Sequence, residues 1–309
     1  MSAAAAPGRW LGVVSLMLIA LAFSLNHIGA RLALDHGVSV LTAVTVRSVG
    51  TVIAVSILLV LARVRWQLDR TILLAAAAAG CALALQGYCL YSAVARLPVA
   101  LALLVFNTFP IMIALLSWLA GGERPRRRTV LAWPVILGGL ALALDVPEVL
   151  ADLARDADTD SRSAAAKVLG GIGFGLGAAA SFALAMVITT RRLAAVDGRV
   201  RSVLTMSAVA VLAGTIGASS SMLAWPIDAA GWTGLAILSG FYALAITGLF
   251  VVLPRVGAVN SSPILSVEPI FAMALAALFL GQSLQIMQVL GALLVVGGIV
   301  FLSTAADKR

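Results

Sequence analysis

The sequence predicts an all-α integral membrane protein of ten transmembrane helices, arranged as two inverted-topology five-helix repeats. Three observations predict it: a composition too apolar for water, a series of apolar runs of membrane length, and a gap-free internal repeat. The 309 residues are 62% hydrophobic and 11% charged, with a mean hydropathy of +1.09, against about 25% charged in soluble domains. A hydrocarbon core of ~30 Å takes about 20 apolar residues per helix. The chain is therefore almost filled by spans and short loops, with no room for a soluble domain.

Apolar runs bounded by charges or turn residues predict spans at 10–34, 38–62, 71–95, 97–120, 129–147, 168–190, 202–224, 231–253, 257–280 and 285–304. Pro98 separates the third from the fourth, because proline suits a first helical turn and turns its predecessor away from the helix. The first run is long for a signal peptide and has no small-residue cleavage site after it, so it reads as a retained span. With the N-terminus in the cytoplasm, fifteen of the 21 Lys and Arg fall inside and five outside, Arg47 lying within a span. The excess of basic residues on the inside predicts both termini cytoplasmic, in a bacterial-type inner membrane. The net charge of +8 sits in short clusters between apolar runs, a pattern of membrane orientation and not of nucleic-acid binding.

Sliding the chain by 159 positions aligns Arg96 with Arg255, Pro110 with Pro269, Gly122 with Gly281, and Gly138-Gly139 with Gly297-Gly298. This divides the chain into a first repeat at 1–147, an acidic outward-facing loop at 148–167, and a second repeat at 168–309. Five spans is an odd number, so the second copy enters the membrane from the opposite side. Inverted repeats are the architecture of many secondary transporters, with a substrate site near the midplane between the halves and alternating access as the mechanism. Pro110 and Pro269 are the expected points of helix bending.

Leu97-Pro98-Val99-Ala100, Phe109-Pro110, Gly121-Gly122-Glu123 and Gly138-Gly139 recur as Arg255-Val256-Gly257-Ala258, Glu268-Pro269, Gly281-Gln282 and Gly297-Gly298. This pattern resembles the EamA-type repeat of the drug/metabolite transporter superfamily, over essentially the whole chain. The resemblance implies ten transmembrane helices and a small-metabolite carrier, with amino-acid exporters among the nearer analogies. One departure is that the glutamate usual at the end of the ninth span is Gln282 here.

Charge within hydrocarbon is the sharpest local signal, because a central Arg or acid costs about 2.5–3.5 kcal/mol on insertion scales. Arg47 lies about 14 Å deep and Glu268 about 17 Å deep at 1.5 Å per residue, so both approach the midplane. They either pair with each other or neutralise the charges of a substrate. Beside Pro269, which frees a backbone acceptor, Glu268 is also a candidate carrier of a coupling proton. Asn107 and Tyr242 reach a similar depth and either orient a polar ligand or bond helix to helix. Tyr88 and Tyr91 share a face nearer the outside, as an exit path or as interfacial aromatics. Asn26, His27 and Gln86 are further pathway candidates, with a neutral imidazole bonded to another helix as the plainer reading of His27.

Several motifs fail on context. Gly175-Leu176-Gly177-Ala178-Ala179-Ala180 fits a permissive dinucleotide fingerprint but lies in an apolar helix. The glycines at 171, 173, 175 and 177 instead suit close helix packing. Trp133 reads as an interfacial anchor, Glu123 among Arg124 and Arg126–Arg128 as a helix-end charge network, and Asn260-Ser261-Ser262 as a cytoplasmic sequence that is not glycosylated. There is no Walker loop, no metal spacing, and no nucleophile–base pair, and no cofactor is expected. The expected partners are a small-molecule substrate, the lipid bilayer and protons. The reading is a carrier of a small polar metabolite, specifically amino-acid export. Efflux of lipophilic drugs or cations is the alternative transport reading, and a membrane-embedded enzyme or lipid-handling protein is the alternative of another class.

Overall fold

The computed structural model describes residues 7–64, 69–121, 134, 135, 137–139, 141–143, 159–256, 268–281 and 285–304. Ten helices are traced through these residues: α1 Pro7–Asp35, α2 Val40–Leu61, α3 Arg70–Val94, α4 Val99–Phe106, α5 Phe109–Leu119, α6 Thr159–Arg192, α7 Gly198–Ser219, α8 Ala229–Val256, α9 Glu268–Leu280 and α10 Ile286–Thr304. By length and composition, seven stretches among the described residues suffice to cross a membrane. One of them is Val99–Leu119, which combines α4 and α5. Ile270–Leu280 and Ile286–Gly298 are shorter apolar helices. The fifth expected span at 129–147 is described only in fragments. The expected features at Gly122, Glu123, Arg124, Arg126–Arg128, Trp133, Asn260-Ser261-Ser262 and Gln282 lie outside the described residues.

Three expected boundaries move, each for a local reason. The expected span at 97–120 is broken at Asn107-Thr108, so Pro110 occupies the first turn of α5, where its missing N–H costs nothing. It starts a helix where a bend in a continuous one was expected. The sixth helix already includes Thr159, ahead of the expected 168, and so takes up the end of the expected 148–167 loop, where Ala164–Ala166 are strong helix formers. The seventh helix runs from 198 to 219 and not from 202 to 224. Asp197 caps it by accepting from Arg199 N–H at 2.8 Å, and Ser221 ends it with a φ of 52°.

The repeat offset predicts where the second-half helices start. Shifted by 159, α2 becomes 199–220 and α3 becomes 229–253, against the observed α7 and α8, and α5 becomes 268–278, which lies within α9. The contacts follow the same exchange. Helix α1 packs most extensively on α8 and α3 on α6. Helix α3 meets α7 as α2 meets α8, and α1 meets α9 as α6 meets α5, while α2 and α7 are mates in contact and α4 packs on both α6 and α9. Each half thus packs largely against the other half, and the region between the repeats is the core of the molecule.

Glycines permit this intimacy. A Cβ at Gly29 of α1 would lie 2.7 Å from the Leu238 nitrogen, and one at Gly234 of α8 would lie 2.6 Å from the Ala33 nitrogen. The two backbones therefore touch. In α6, a Cβ at Gly171 would meet Leu97 at 2.5 Å and one at Gly175 would meet Val105 at 2.6 Å, as the packing reading of these glycines requires. The loops after α1 and before α8 are joined by His36 and Asp228, whose Nδ1 and Oδ2 are 2.7 Å apart. The backbone N–H of Gly231, followed by His36, holds the Asp228 carboxyl below the usual carboxylate range.

Two outcomes are expected. Gly234→Val, which forces α1 and α8 apart, should lower the melting temperature and the monodisperse yield in detergent, since overpacking typically costs about 1–3 kcal/mol. Gly240→Ala, with nothing within 4 Å of its Cβ, should leave both unchanged. The carboxyl of Asp228 has a lower pKa folded than unfolded, so the stability it contributes is complete above the ordinary value of about 4 and is lost as pH falls through the depressed one. Hydrogen exchange at residues 225–231 should accelerate on acidification through that window in the wild type and stay flat in Asp228→Asn.

Candidate functional site

A polar cluster lies where α1, α2, α3, α8 and α9 converge, in an otherwise apolar core. Arg47 of α2 is 2% exposed. Its Nη1 donates to the Tyr91 hydroxyl at 2.9 Å, and its guanidinium lies over the Tyr91 ring at 4.8 Å and the Tyr242 ring at 4.3 Å. The Nε has no hydrogen-bond partner. Gly87, one turn before Tyr91 on α3, makes room for the group, since a Cβ there would sit 2.5 Å from Nη2. Among the described residues no carboxylate pairs with Arg47.

Glu268 pairs elsewhere. Its Oε1 lies 3.2 Å from His27 Nε2, with the glutamate side chain 17% exposed and the histidine 5%. Ser24, one turn before His27 on α1, donates to the Glu268 carbonyl oxygen at 2.9 Å. These contacts fasten α9, a second-half helix, to α1. Of the alternatives open to Arg47 and Glu268, direct pairing is not what the structure shows: Arg47 is held by Tyr91 and Tyr242, and Glu268 by His27.

Asn26 links the two ends of the cluster. Its amide lies 3.1 Å from the Tyr91 hydroxyl. With its nitrogen turned toward Tyr91, the amide also donates to the Leu238 carbonyl at 3.2 Å and accepts from the His27 backbone N–H at 3.2 Å, which satisfies both of its atoms. Arg47, Tyr91, Asn26, His27 and Glu268 are thereby joined in one chain of contacts, with Tyr242 closing the far side of the guanidinium.

The other candidates lie apart. Asn107 is buried at the end of α4, and its side chain donates back to the Leu103 carbonyl of the same helix at 2.8 Å. Tyr88 packs edge-on against Phe174, ring centroids 6.2 Å apart. Gln86 is buried on α3 but no contact joins it to the cluster. Pro110 is the second residue of α5, and Pro269 follows Glu268 in α9. Tyr91, expected on a face nearer the outside, is fully buried within the protein and bonded to Arg47.

Gly87, Ser24 and a phenylalanine triad were not legible as site features. Phe106, Phe109 and Phe182 stack at centroid distances of 5.1 to 5.5 Å beside the break between α4 and α5. The repeat offset was the signal available for the triad: it maps Glu268 onto Phe109, His27 onto Met186, and Arg47 onto Met206. The polar residues of one half thus have apolar mates in the other. Among the described residues no three His, Cys, Asp or Glu side chains converge as a metal-ligand set. The arrangement holds a fixed cation and a carboxylate in one polar cluster, groups that can bind opposite charges.

Comparison with known proteins places this geometry. A comparison with curated proteins finds no match. A solved structure described as "Crystal structure of protein" is similar with a TM-score of 0.62 at 20% sequence identity, over 97% of this chain and 98% of that one. At that identity it shows the fold alone. The profile of the EamA-like transporter family matches residues 10–144 and 169–304, the two segments that the 159-residue offset pairs. The chain therefore belongs to the EamA-like transporter family of the drug/metabolite transporter superfamily, and is a multi-pass membrane protein.

Proposed function

We propose that this protein is a secondary carrier for a small zwitterionic metabolite, an amino acid or a close relative, and that it works by alternating access with export favoured. One observation carries the reading: Arg47 is a buried, permanent cation with hydroxyl and aromatic partners and no carboxylate among the described residues. Guanidinium does not lose its proton in proteins. Two desolvated cation–π contacts of roughly 2 kcal/mol each offset part of a desolvation cost of several kcal/mol, but they leave the charge uncompensated. A substrate carboxylate supplies the missing anion. Its ammonium group then competes with His27 for Glu268.

Ten spans in two inverted repeats belong to this proposal. It is supported by contacts that survive exchange of the halves, by the starts of α7 and α8, which fall where the 159-residue offset carries those of α2 and α3, and by the two matched segments. In such a frame, rocking one half on the other opens the shared cluster alternately to each side. The His27–Glu268 contact joins the halves, so a substrate ammonium or a proton arriving at Glu268 loosens that join. Both termini cytoplasmic in an inner membrane completes the arrangement. Efflux of lipophilic cations is the competing reading, and the fixed charge of Arg47 works against it.

Three measurements test this. In proteoliposomes, Glu268→Gln should reduce affinity for zwitterionic substrates about tenfold or more, the scale of one charge-assisted hydrogen bond of about 1.5–3 kcal/mol, without loss of insertion. Arg47→Gln should do the same. Improved transport of lipophilic cations by Arg47→Gln, with amino-acid transport absent in the wild type, would favour efflux instead. For orientation, an impermeant thiol reagent applied to intact cells should modify a cysteine placed at Asp156 and spare one placed at Arg127; the reverse pattern would invert the topology.

A further inference from the structure

We propose that the groove between the start of α3 and the end of α6 binds one anionic phospholipid, its phosphodiester held by Arg70 and Arg192 and an acyl chain laid on Leu74, Ala75, Ala78 and Ile188. The groove has a volume of about 430 Å³ and is lined by these residues together with Thr71. It is independent of the polar cluster and of the substrate reading.

Sequence spacing builds it. On α3, Arg70 and Thr71, then Leu74 and Ala75, then Ala78 recur about every four residues and so share one helix face. On α6, Ile188 and Arg192 are also four apart. Each wall therefore carries a cation at the membrane surface and apolar groups toward the interior, which is the order of a phospholipid from headgroup to chain. Ala75 and Ala78 keep the groove open where larger side chains would fill it.

The two cations are uncommitted. Arg70 and Arg192 are exposed, and no ion pair joins either to a carboxylate among the described residues. Neighbouring groups are engaged elsewhere: Asp69 accepts from the Ile72 N–H at 2.7 Å, and Arg191 donates to the Ala120 and Ser117 carbonyls at 2.6 and 3.2 Å. Two like charges thus line one groove, and among the described residues no ion pair supplies either with a counter-ion. Basic pockets between transmembrane helices on the cytoplasmic side suit anionic headgroups. A zwitterionic lipid would bring its own cation between the arginines, and free phosphate would gain nothing from the apolar floor. The charge pattern and the floor together therefore select an anionic lipid.

The test is native mass spectrometry of the full-length, delipidated protein titrated with dioleoylphosphatidylglycerol or dioleoylphosphatidylcholine. The wild type should retain one phosphatidylglycerol roughly tenfold more tightly than phosphatidylcholine, given about 1 kcal/mol of attraction per basic residue. Arg70→Gln with Arg192→Gln should abolish the preference, Arg70→Lys with Arg192→Lys should keep most of it, and Leu74→Trp should weaken retention of both lipids by filling the floor. Inorganic phosphate at millimolar concentration should leave lipid retention unchanged. Equal retention of the two lipids by the wild type, or the same loss of preference in the control Arg199→Gln, would overturn the site. If the glutamine pair does not fold, the outcome rests on the lysine pair and on Leu74→Trp: loss of preference in the first, or full retention in the second, would equally overturn it.

Discussion

A guanidinium in a hydrocarbon core keeps its charge, and much of the molecule's interior answers to that constraint. Arg47 is 2% exposed, so water does not solvate it. Two tyrosine rings from different helices take the place of that water on its faces, and the Tyr91 hydroxyl takes one N–H. Tyr91 can do this only because Gly87 leaves room beside it. Asn26 then fixes the Tyr91 hydroxyl, and its neighbour His27 reaches Glu268. Removing any one of these contacts leaves a buried polar group short of a partner, at about 1–3 kcal/mol.

The two halves share an architecture but not a chemistry. Their helices exchange contacts in matched pairs, yet the positions equivalent to Arg47, His27 and Glu268 are Met206, Met186 and Phe109. The charged residues of the cluster thus come from Arg47 and His27 in the first half and Glu268 in the second, and none of the three is repeated at its equivalent position.

The fold was legible because its signals are redundant. Hydropathy over about 20 residues marks a span whatever its neighbours are, and the 159-residue offset aligned helices that the structure then starts at matching positions. The sharp break at Asn107-Thr108 was not read, because Pro110 is equally compatible with a bend and with a new first turn. Similar positions along their helices brought Arg47 and Tyr242 together as candidates, and the structure puts them in contact, whereas direction around the helix was not readable. Tyr91 was therefore grouped with Tyr88, although the face it shares with Gly87 turns it onto Arg47. The pairing of His27 with Glu268 joins residues 241 apart, and only the packing of α1 on α9 brings them together.

Solute counterflow with wild-type proteoliposomes, comparing an amino acid with its decarboxylated amine and its deaminated acid, bears most directly on a centre that offers one cation and one carboxylate. The zwitterion should drive exchange, and each half-charged analogue should be weaker by about tenfold or more, since each leaves one buried charge unmatched. An amine that exchanges as well as the amino acid would contradict the role given to Arg47.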